Sequence, residues 1–239
     1  MRHPGGLFLW PMCMSASRNA FVHMETTALN RRVQGPIRTA AFWGTCKLEM
    51  KNELRTLLRE KRENMLPLKR SRDSKKIALN ILRNPELSLG KRLGFYFASK
   101  YEVNTKMLIS AFLNHGKEIF LPIIEEKEIF FARYDPKKTT IIENRYGIGE
   151  PSRREANMVS PSYLDTVFLP IVGYNNACYR IGMGGGFYDR SFKNLKEDSP
   201  IRIGLAFSFQ EVSFEPESHD LPLFGICTED GMTFRNKRK

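Results

Sequence analysis

TVFLPIVGYNNACYRIGMGGGFYDR, residues Thr166 to Arg190, is the stretch that decides how this chain folds. Its first part, Thr166 to Val172, is almost continuously apolar, as a strand covered on both faces of a sheet must be. Its last part opens a segment, Phe187 to Leu195, that can form a helix. Between the two lie four glycines in five residues, Gly182 and Gly184 to Gly186. Strand, glycine loop and helix form the unit of an open α/β sheet, whose ligands gather at the carboxyl ends of the strands. Clustered glycines let backbone N–H groups approach a ligand in conformations that side chains forbid, so such a loop can cradle phosphate oxygens. Arg180 adds fixed positive charge before the loop, and Asp189 after it can hold a hard cation such as Mg²⁺.

Outward from this stretch the pattern stays α/β. From Met50, Leu54, Leu57 and Leu58 recur at helical spacing, while Lys51, Arg55, Arg59 and Arg62 line another face. Pro67 ends that helix or separates it from a second one over about 71–84, whose stripe is Ile77, Ala78, Ile81 and Leu82 and which Pro85 closes. Strands are predicted at Leu93–Ala98, Glu118–Ile123, Glu128–Tyr134 and Ile201–Phe207, with short ones near Ile226 and Thr233. A helix is predicted over Thr105–Asn114, terminated by Gly116. Ile148–Ser162 has the Gly, Pro and Ser content of a long surface loop. The sum is a single three-layer α/β/α domain with a central mixed, largely parallel sheet.

Composition limits what the domain can be. With 239 residues, 41% hydrophobic and 27% charged, the chain can bury a sizeable core. Its longest early apolar run, Leu7–Met14, is broken by Pro11 and falls short of the roughly 20 residues that cross a bilayer, so no membrane partner is expected. Cys13, Cys46, Cys178 and Cys227 match no paired zinc spacing and read as reduced thiols, the latter two as small, partly buried residues. Of the net charge of +12, residues 1–49 hold +4 and residues 50–239 hold +8. Such a surface suits anionic small molecules or nucleic acid. Without a zinc finger, an RNA-recognition aromatic motif or a repeated basic helix, the small molecule comes first and no nucleic acid is expected. Residues 1–49, acid-poor with scattered arginines, read as a poorly ordered extension. An over-extended reading frame with its natural start near Met50 is the favoured explanation, and an organellar presequence is the other.

The loop fails two familiar templates. A Walker loop needs Lys followed by Ser or Thr after its glycines, and neither is present. The dinucleotide fingerprint fails because the third glycine position is Phe187 and the loop lies late in the chain. RIGMGGGFYDR instead resembles the signature of the 5-formyltetrahydrofolate cyclo-ligase (5,10-methenyltetrahydrofolate synthetase) family. The resemblance runs over residues 51–235, through KNELR, FYFASKYEVNT, GKEIFLPII, GIGEP, LPIVGYNNACY and HDLPL in family order. Residues 50–239 are therefore expected to be a folate cyclo-ligase domain.

The resemblance implies ATP- and Mg²⁺-dependent conversion of 5-formyltetrahydrofolate, with or without a polyglutamate tail, to 5,10-methenyltetrahydrofolate, with ADP and phosphate released. ATP phosphorylates the formyl oxygen, the nitrogen at position ten attacks the activated carbon, and phosphate leaves. It implies an ATP site made of Lys51, Asn52, Glu53, Leu54 and Arg55, with Arg180, Ile181, Gly182, Met183, Gly184, Gly185, Gly186, Phe187 and Tyr188. Arg180 is the residue expected to stabilise transition-state charge. Met183 to Phe187 also border the folate, which Phe97 and Glu102 contact, and Asp189 and Asp220 bind the metal. Each has a plainer alternative: a solvated helix face for Lys51 and Arg55, core packing for Phe97, a loop anchor for Tyr188, a helix start for Asp189 and a turn for Asp220. Some family members carry basic side chains where this chain has Met183 and Gly185. His115 and His219 read as surface or packing residues. The expected state is a cytoplasmic monomer, or an organellar protein if residues 1–49 are a presequence. The competing functions are a non-catalytic folate- or nucleotide-binding protein of this fold and a basic nucleic-acid-binding module.

Overall fold

The computed structural model describes residues 40–154, 156–196 and 199–235, with side chains from Glu49 onward. Contacts divide the chain into Met1–Cys46 and Lys47–Lys239, and the sheet and both clefts belong to the second unit. Residues 1–39 of the expected extension lie outside the described residues, and the boundary expected at 49–50 falls inside a helix, α1, Ala40–Glu63.

Two helices follow the same logic at their ends. Helix α2 is Pro67–Leu82, with Pro67 at its first turn, where the missing N–H costs nothing, so Pro67 starts this helix rather than merely ending the previous one. Helix α3 is Lys106–Asn114, and Gly116 (φ +71°) releases the chain from it.

The central sheet is built from β1 (Arg92–Gly94), β2 (Glu118–Glu125), β3 (Glu128–Tyr134), β6 (Met158–Val159), β7 (Thr166–Pro170), β10 (Ile201–Leu205), β11 (Gly225–Thr228) and β12 (Gly231–Phe234). Two further ribbons stand outside it, β4 (Ile141–Glu143) with β5 (Gly149–Pro151), and β8 (Gly173–Tyr174) with β9 (Arg180–Ile181). The strand order is β12-β11-β10-β7-β1-β2-β3-β6. The pairings from β11 through β10, β7 and β1 to β2 are all parallel, and the outer strands β12, β3 and β6 pair antiparallel.

This order sets the location of the site. The chain builds one way from β1 to β2 and then returns to the other side of β1 with β7, so the switch point lies between β1 and β7, where Leu93 faces Thr166. A crevice opens outside the carboxyl ends at such a point. β1 ends at Gly94 rather than at the expected Ala98, because beyond the last backbone bond, Phe95 N–H to Phe120 O at 2.9 Å, the chain turns off the sheet. Phe97 is thereby carried into the crevice region as a half-buried side chain.

Both faces of the sheet are covered. On one, Ile77, Ala78 and Ile81 of α2 and Leu108 and Phe112 of α3 pack on Leu93, Phe168 and Ile203, with the Phe95 and Phe168 rings stacked 4.5 Å apart. On the other, Phe192 of α4 (Phe187–Phe192) packs with Phe131, Val167, Leu169 and Ile226. The α4 helix stops short of Leu195, so this layer is thin and much of it is loop. Cys178 and Cys227 are free and fully buried rather than partly so, and burial pushes their thiols up to about 11 and about 12.

Helix α1 departs from its amphipathic reading. Leu58 is buried against Val172, Ile181 and Phe214, but Leu57 is 43% exposed. The inward stripe is Lys51, Arg55, Leu58 and Arg62, with Lys51 4% and Arg62 5% exposed. The basic face on which Lys51 and Arg55 were expected to reach a ligand is thus the inward one, and the plainer alternative of a solvated face does not hold for Lys51.

Candidate active site

The glycine loop leaves the β8–β9 ribbon and curls over α1. Gly184 (φ +98°) and Gly186 (φ +63°) sit in the left-handed region that side chains rarely adopt, so the turn needs glycine at both. Gly182 is different: a Cβ there would meet nothing within 4 Å, and the fold itself does not demand glycine at that position. The space above it is room for a ligand to approach the backbone.

Around the loop is a cleft of about 380 Å³, where residues from three distant parts of the chain meet. From α1, Lys51 Nζ donates to Glu217 Oε1 at 2.8 Å and Asp220 Oδ2 at 2.6 Å. Arg55 Nε donates to the Gly182 carbonyl at 3.0 Å. Arg180, 7% exposed, donates from Nη2 to Asp189 Oδ1 at 2.9 Å, and the same oxygen accepts from Leu221 N–H at 3.5 Å. Asp189 lies in the first turn of α4 and Asp220 closes a turn, its carboxylate accepting from Glu217 N–H at 2.7 Å. Both plainer descriptions are therefore true of these two acids, and both acids nevertheless line one cleft. Arg190, Lys193 and His219 also line it, with His219 Nε2 3.8 Å from Glu217 Oε2.

The rest of the expected set separates. Asn52 and Glu53 are exposed and line a different, shallow depression with Thr56 and Glu60. Asn52 contributes only through its Oδ1, which accepts from Arg55 Nη1. Leu54 is half-buried against the Leu58 cluster, and Ile181 is buried beneath the cleft. Met183 is 57% exposed at the tip of the loop, and the Gly185 carbonyl accepts from Arg190 Nη2 at 2.7 Å.

Phe97 and Glu102 line a second cleft of about 600 Å³ between α2 and the start of α3. Glu102 Oε2 accepts from Ser99 N–H at 2.9 Å, which fixes the turn that carries it. Tyr188 packs beside Arg180. Its ring centroid is 5.9 Å from the Arg180 guanidinium, while burial and then the Glu102 charge hold its hydroxyl well above the usual tyrosine range. Nearby, Tyr146 meets Phe187 edge-on at 5.7 Å, and Gly149 of the GIGEP element is so close to Phe97 that a Cβ would lie 3.2 Å from its ring.

Four participants escaped the sequence reading: Glu217, His219, Arg62 and Tyr146. Glu217 and His219 belong to or flank the quoted HDLPL segment, but nothing local marks an acid that will meet a lysine 166 residues away. Among the described residues no group of three or more His, Cys, Asp or Glu side chains is arranged to hold a metal ion. Asp189 and Asp220 are instead a pair of hard oxygen donors in a cleft rich in cations. That donor set fits Mg²⁺, which usually takes one or two carboxylates and completes its shell with water and phosphate.

A model of the 5-formyltetrahydrofolate cyclo-ligase family matches residues 47–229. The chain belongs to that family. The resemblance read from the glycine loop, and the enzyme class it carries, thus hold. A 5-formyltetrahydrofolate cyclo-ligase of Haemophilus influenzae is 33% identical over 182 residues, covering 74% of this chain and 97% of the relative. A solved 5,10-methenyltetrahydrofolate synthetase from Aquifex aeolicus superposes with a TM-score of 0.69 at 32% identity, covering 80% of this chain and 95% of that one. A relative from Arabidopsis thaliana named as mitochondrial is 22% identical over 244 residues, which span 92% of this chain and 84% of the relative. Among the described residues no helix is long and apolar enough to cross a membrane.

Proposed function

We propose that this protein converts 5-formyltetrahydrofolate to 5,10-methenyltetrahydrofolate, using ATP and releasing ADP and phosphate. The observation that carries the proposal is the meeting of Lys51, Arg180, Asp189 and Asp220 in one cleft beneath a glycine loop. Family membership supplies the reaction class.

The chemistry asks for two things. A formyl amide is a poor electrophile, so its oxygen must become a leaving group, and the negative charge moved with the phosphoryl group must be met by fixed dipoles and cations. Lys51, Arg55 and Arg180 answer the second demand. In the free protein Lys51 and Arg180 are neutralised by Asp220, Glu217 and Asp189. A triphosphate would take over those cations, freeing the two aspartates. Asp189 and Asp220 would then hold Mg²⁺, which when bound supplies further neutralisation of phosphate oxygens. The backbone at Gly182, which has open space above it, approaches the transferring group.

In the second cleft Phe97 offers a flat apolar surface to the pterin and Glu102 an acceptor for its N–H groups. The γ-phosphoryl group goes to the formyl oxygen. The nitrogen at position ten then adds to the activated carbon, loses its proton and expels phosphate, which leaves the methenyl bridge. Holding that nitrogen against the carbon is the chief gain from a rigid site. The substrate's glutamate carboxylates, one or several, have Lys75, Lys100 and Lys106 along the outer cleft wall, none of them paired with a carboxylate among the described residues. We take the protein to act as a monomer in the cytoplasm, with an organelle as the alternative if residues 1–49 are a presequence. Purified protein given 5-formyltetrahydrofolate, ATP and Mg²⁺ should form the ultraviolet-absorbing methenyl product; folded protein that forms none overturns the assignment.

A further inference from the structure

Arg62 lies on the inward stripe of α1, seven residues beyond Arg55, and the positions of Lys51, Arg55, Leu58 and Arg62 repeat at the spacing of one helical face. The first two cations of the stripe serve the glycine-loop cleft. Eleven residues of helix, about 16 Å of rise, carry the third behind Glu102, a wall residue of the other cleft. There Arg62 is 5% exposed, its Nη1 donates to the Ile171 carbonyl at 3.3 Å just past the carboxyl end of β7, and it stands 4.0 Å from Glu102 Oε1.

The arrangement is unfinished in a specific way. Arg62 Nε is buried with no hydrogen-bond partner among the described residues. A buried guanidinium with an idle donor is costly, and burial lowers its pKa, with the Glu102 charge as the largest opposing influence. A hydrophobic residue would serve better if α1 only needed packing at this position. Glu102 is likewise held from one side only: Oε2 is fixed by Ser99 N–H, whereas Oε1 accepts no hydrogen bond among the described residues and has Arg62 Nη1 at 4.0 Å. The Tyr96 hydroxyl donates to the Val103 carbonyl at 2.9 Å, and burial, with the Glu102 charge second, raises the pKa of both Tyr96 and Tyr188.

We propose that Arg62 is a positioning residue for the folate half of the site, orienting Glu102 through its Oε1 so that the carboxylate meets the substrate's N–H groups. This rests on the cyclo-ligase reading above and adds to it a residue of α1 dedicated to folate rather than nucleotide. One helix then serves both substrates, Lys51 and Arg55 at one end and Arg62 at the other.

The test is a double-mutant cycle on the full chain, with Arg62→Met, Glu102→Gln and the pair, each checked for folding by thermal denaturation. We expect Arg62→Met to raise KM for 5-formyltetrahydrofolate about tenfold while KM for ATP moves by less than about twofold, and Arg62→Lys to recover part of the loss. The double variant should be no worse than Glu102→Gln alone within about twofold, because the two residues act as one unit. Equal rises in both KM values, no rise for folate, or multiplicative losses in the pair would overturn the proposal. If Arg62→Met does not fold, calorimetric binding of 5-formyltetrahydrofolate to Arg62→Lys decides, with unchanged affinity counting against it. Failure of the cyclo-ligase reading itself shows separately, as wild-type protein that makes no methenyl product.

Discussion

The two clefts handle charge in opposite ways. In the glycine-loop cleft the two buried cations already have acids: Lys51 has Asp220 and Glu217, Arg180 has Asp189, while Arg55 is held by the neutral Gly182 carbonyl and Asn52 Oδ1. In the Glu102 cleft the cations have no close acid: Lys75, Lys100 and Lys106 lack an acidic partner among the described residues, Arg70 donates to backbone carbonyls, and Arg62, behind Glu102, stands 4.0 Å from its carboxylate. On the proposed reading, a site for a highly charged nucleotide and a metal must not repel itself when empty, so it stores its charges as pairs that the ligands would exchange. A site for a flat, mostly neutral ring with an acidic tail needs less storage. Its polar groups instead wait for partners.

The sharpest way to break this contrast is to remove one member of a stored pair. Arg180→Ala or Asp189→Ala should cut turnover by about a hundredfold or more, while stability falls by only about 1–3 kcal/mol, read from steady-state rates and denaturant titrations of the same samples. Equal loss of folding would make the pair a strut and not a store. Smaller, and more discriminating, is a comparison within the loop. Gly182→Ala has open space and should change stability by less than about 0.5 kcal/mol yet raise KM for ATP about tenfold. Gly186→Ala, at φ +63°, should cost about 1 kcal/mol of stability in addition.

A third measure falls on the outer cleft. Reversing Lys75 and Lys106 to Glu together should raise KM for a triglutamate substrate at least about threefold more than for the monoglutamate, and added salt should narrow the gap. The least effect lies away from both clefts, at the amino ends of β1 and β7. Asp165 accepts from Arg92 Nη2 at 2.5 Å and from the Lys91 and Arg92 N–H groups at 2.8 Å, and the Arg92 guanidinium foremost holds its carboxyl down at about 2. A depressed carboxyl stabilises the fold above its unfolded value near 4 and loses that contribution as pH falls toward 2. Screened at this partly exposed position, it is worth about 1–2 kcal/mol. Wild type should therefore lose that much more stability than Asp165→Asn between about pH 5 and pH 2, as denaturant unfolding at each pH would measure.

The parts of this molecule legible in sequence are those whose physics is local. Thr166–Val172 read as a covered strand and forms one over Thr166–Pro170, Glu128–Tyr134 matched its strand to the residue, and the glycine loop announced its turn. The ribbons β4–β5 and β8–β9 escaped because strands of two or three residues carry no alternation to read. The burial of Arg62 on the inward face of α1 went unread for a deeper reason. Lys51 and Arg62 are buried by Glu217, Asp220 and the Ile171 carbonyl, partners more than a hundred residues away, and spacing along the helix cannot distinguish a buried arginine such as Arg62 from an exposed one such as Arg59. Family order drew Asn52 and Glu53 into the site as neighbours of Lys51 and Arg55, although a helix turns them away from the cleft.

The central claim is that the stored ion pairs open to pass one phosphoryl group from nucleotide to folate. The most direct measurement is a single-turnover reaction of the wild-type protein with 5-formyltetrahydrofolate, ATP and Mg²⁺, following methenyl absorbance and ADP together. We predict one ADP for each methenyl group formed, and neither product without the other substrate; methenyl formation without ADP, or ADP release that does not depend on the folate, would contradict it.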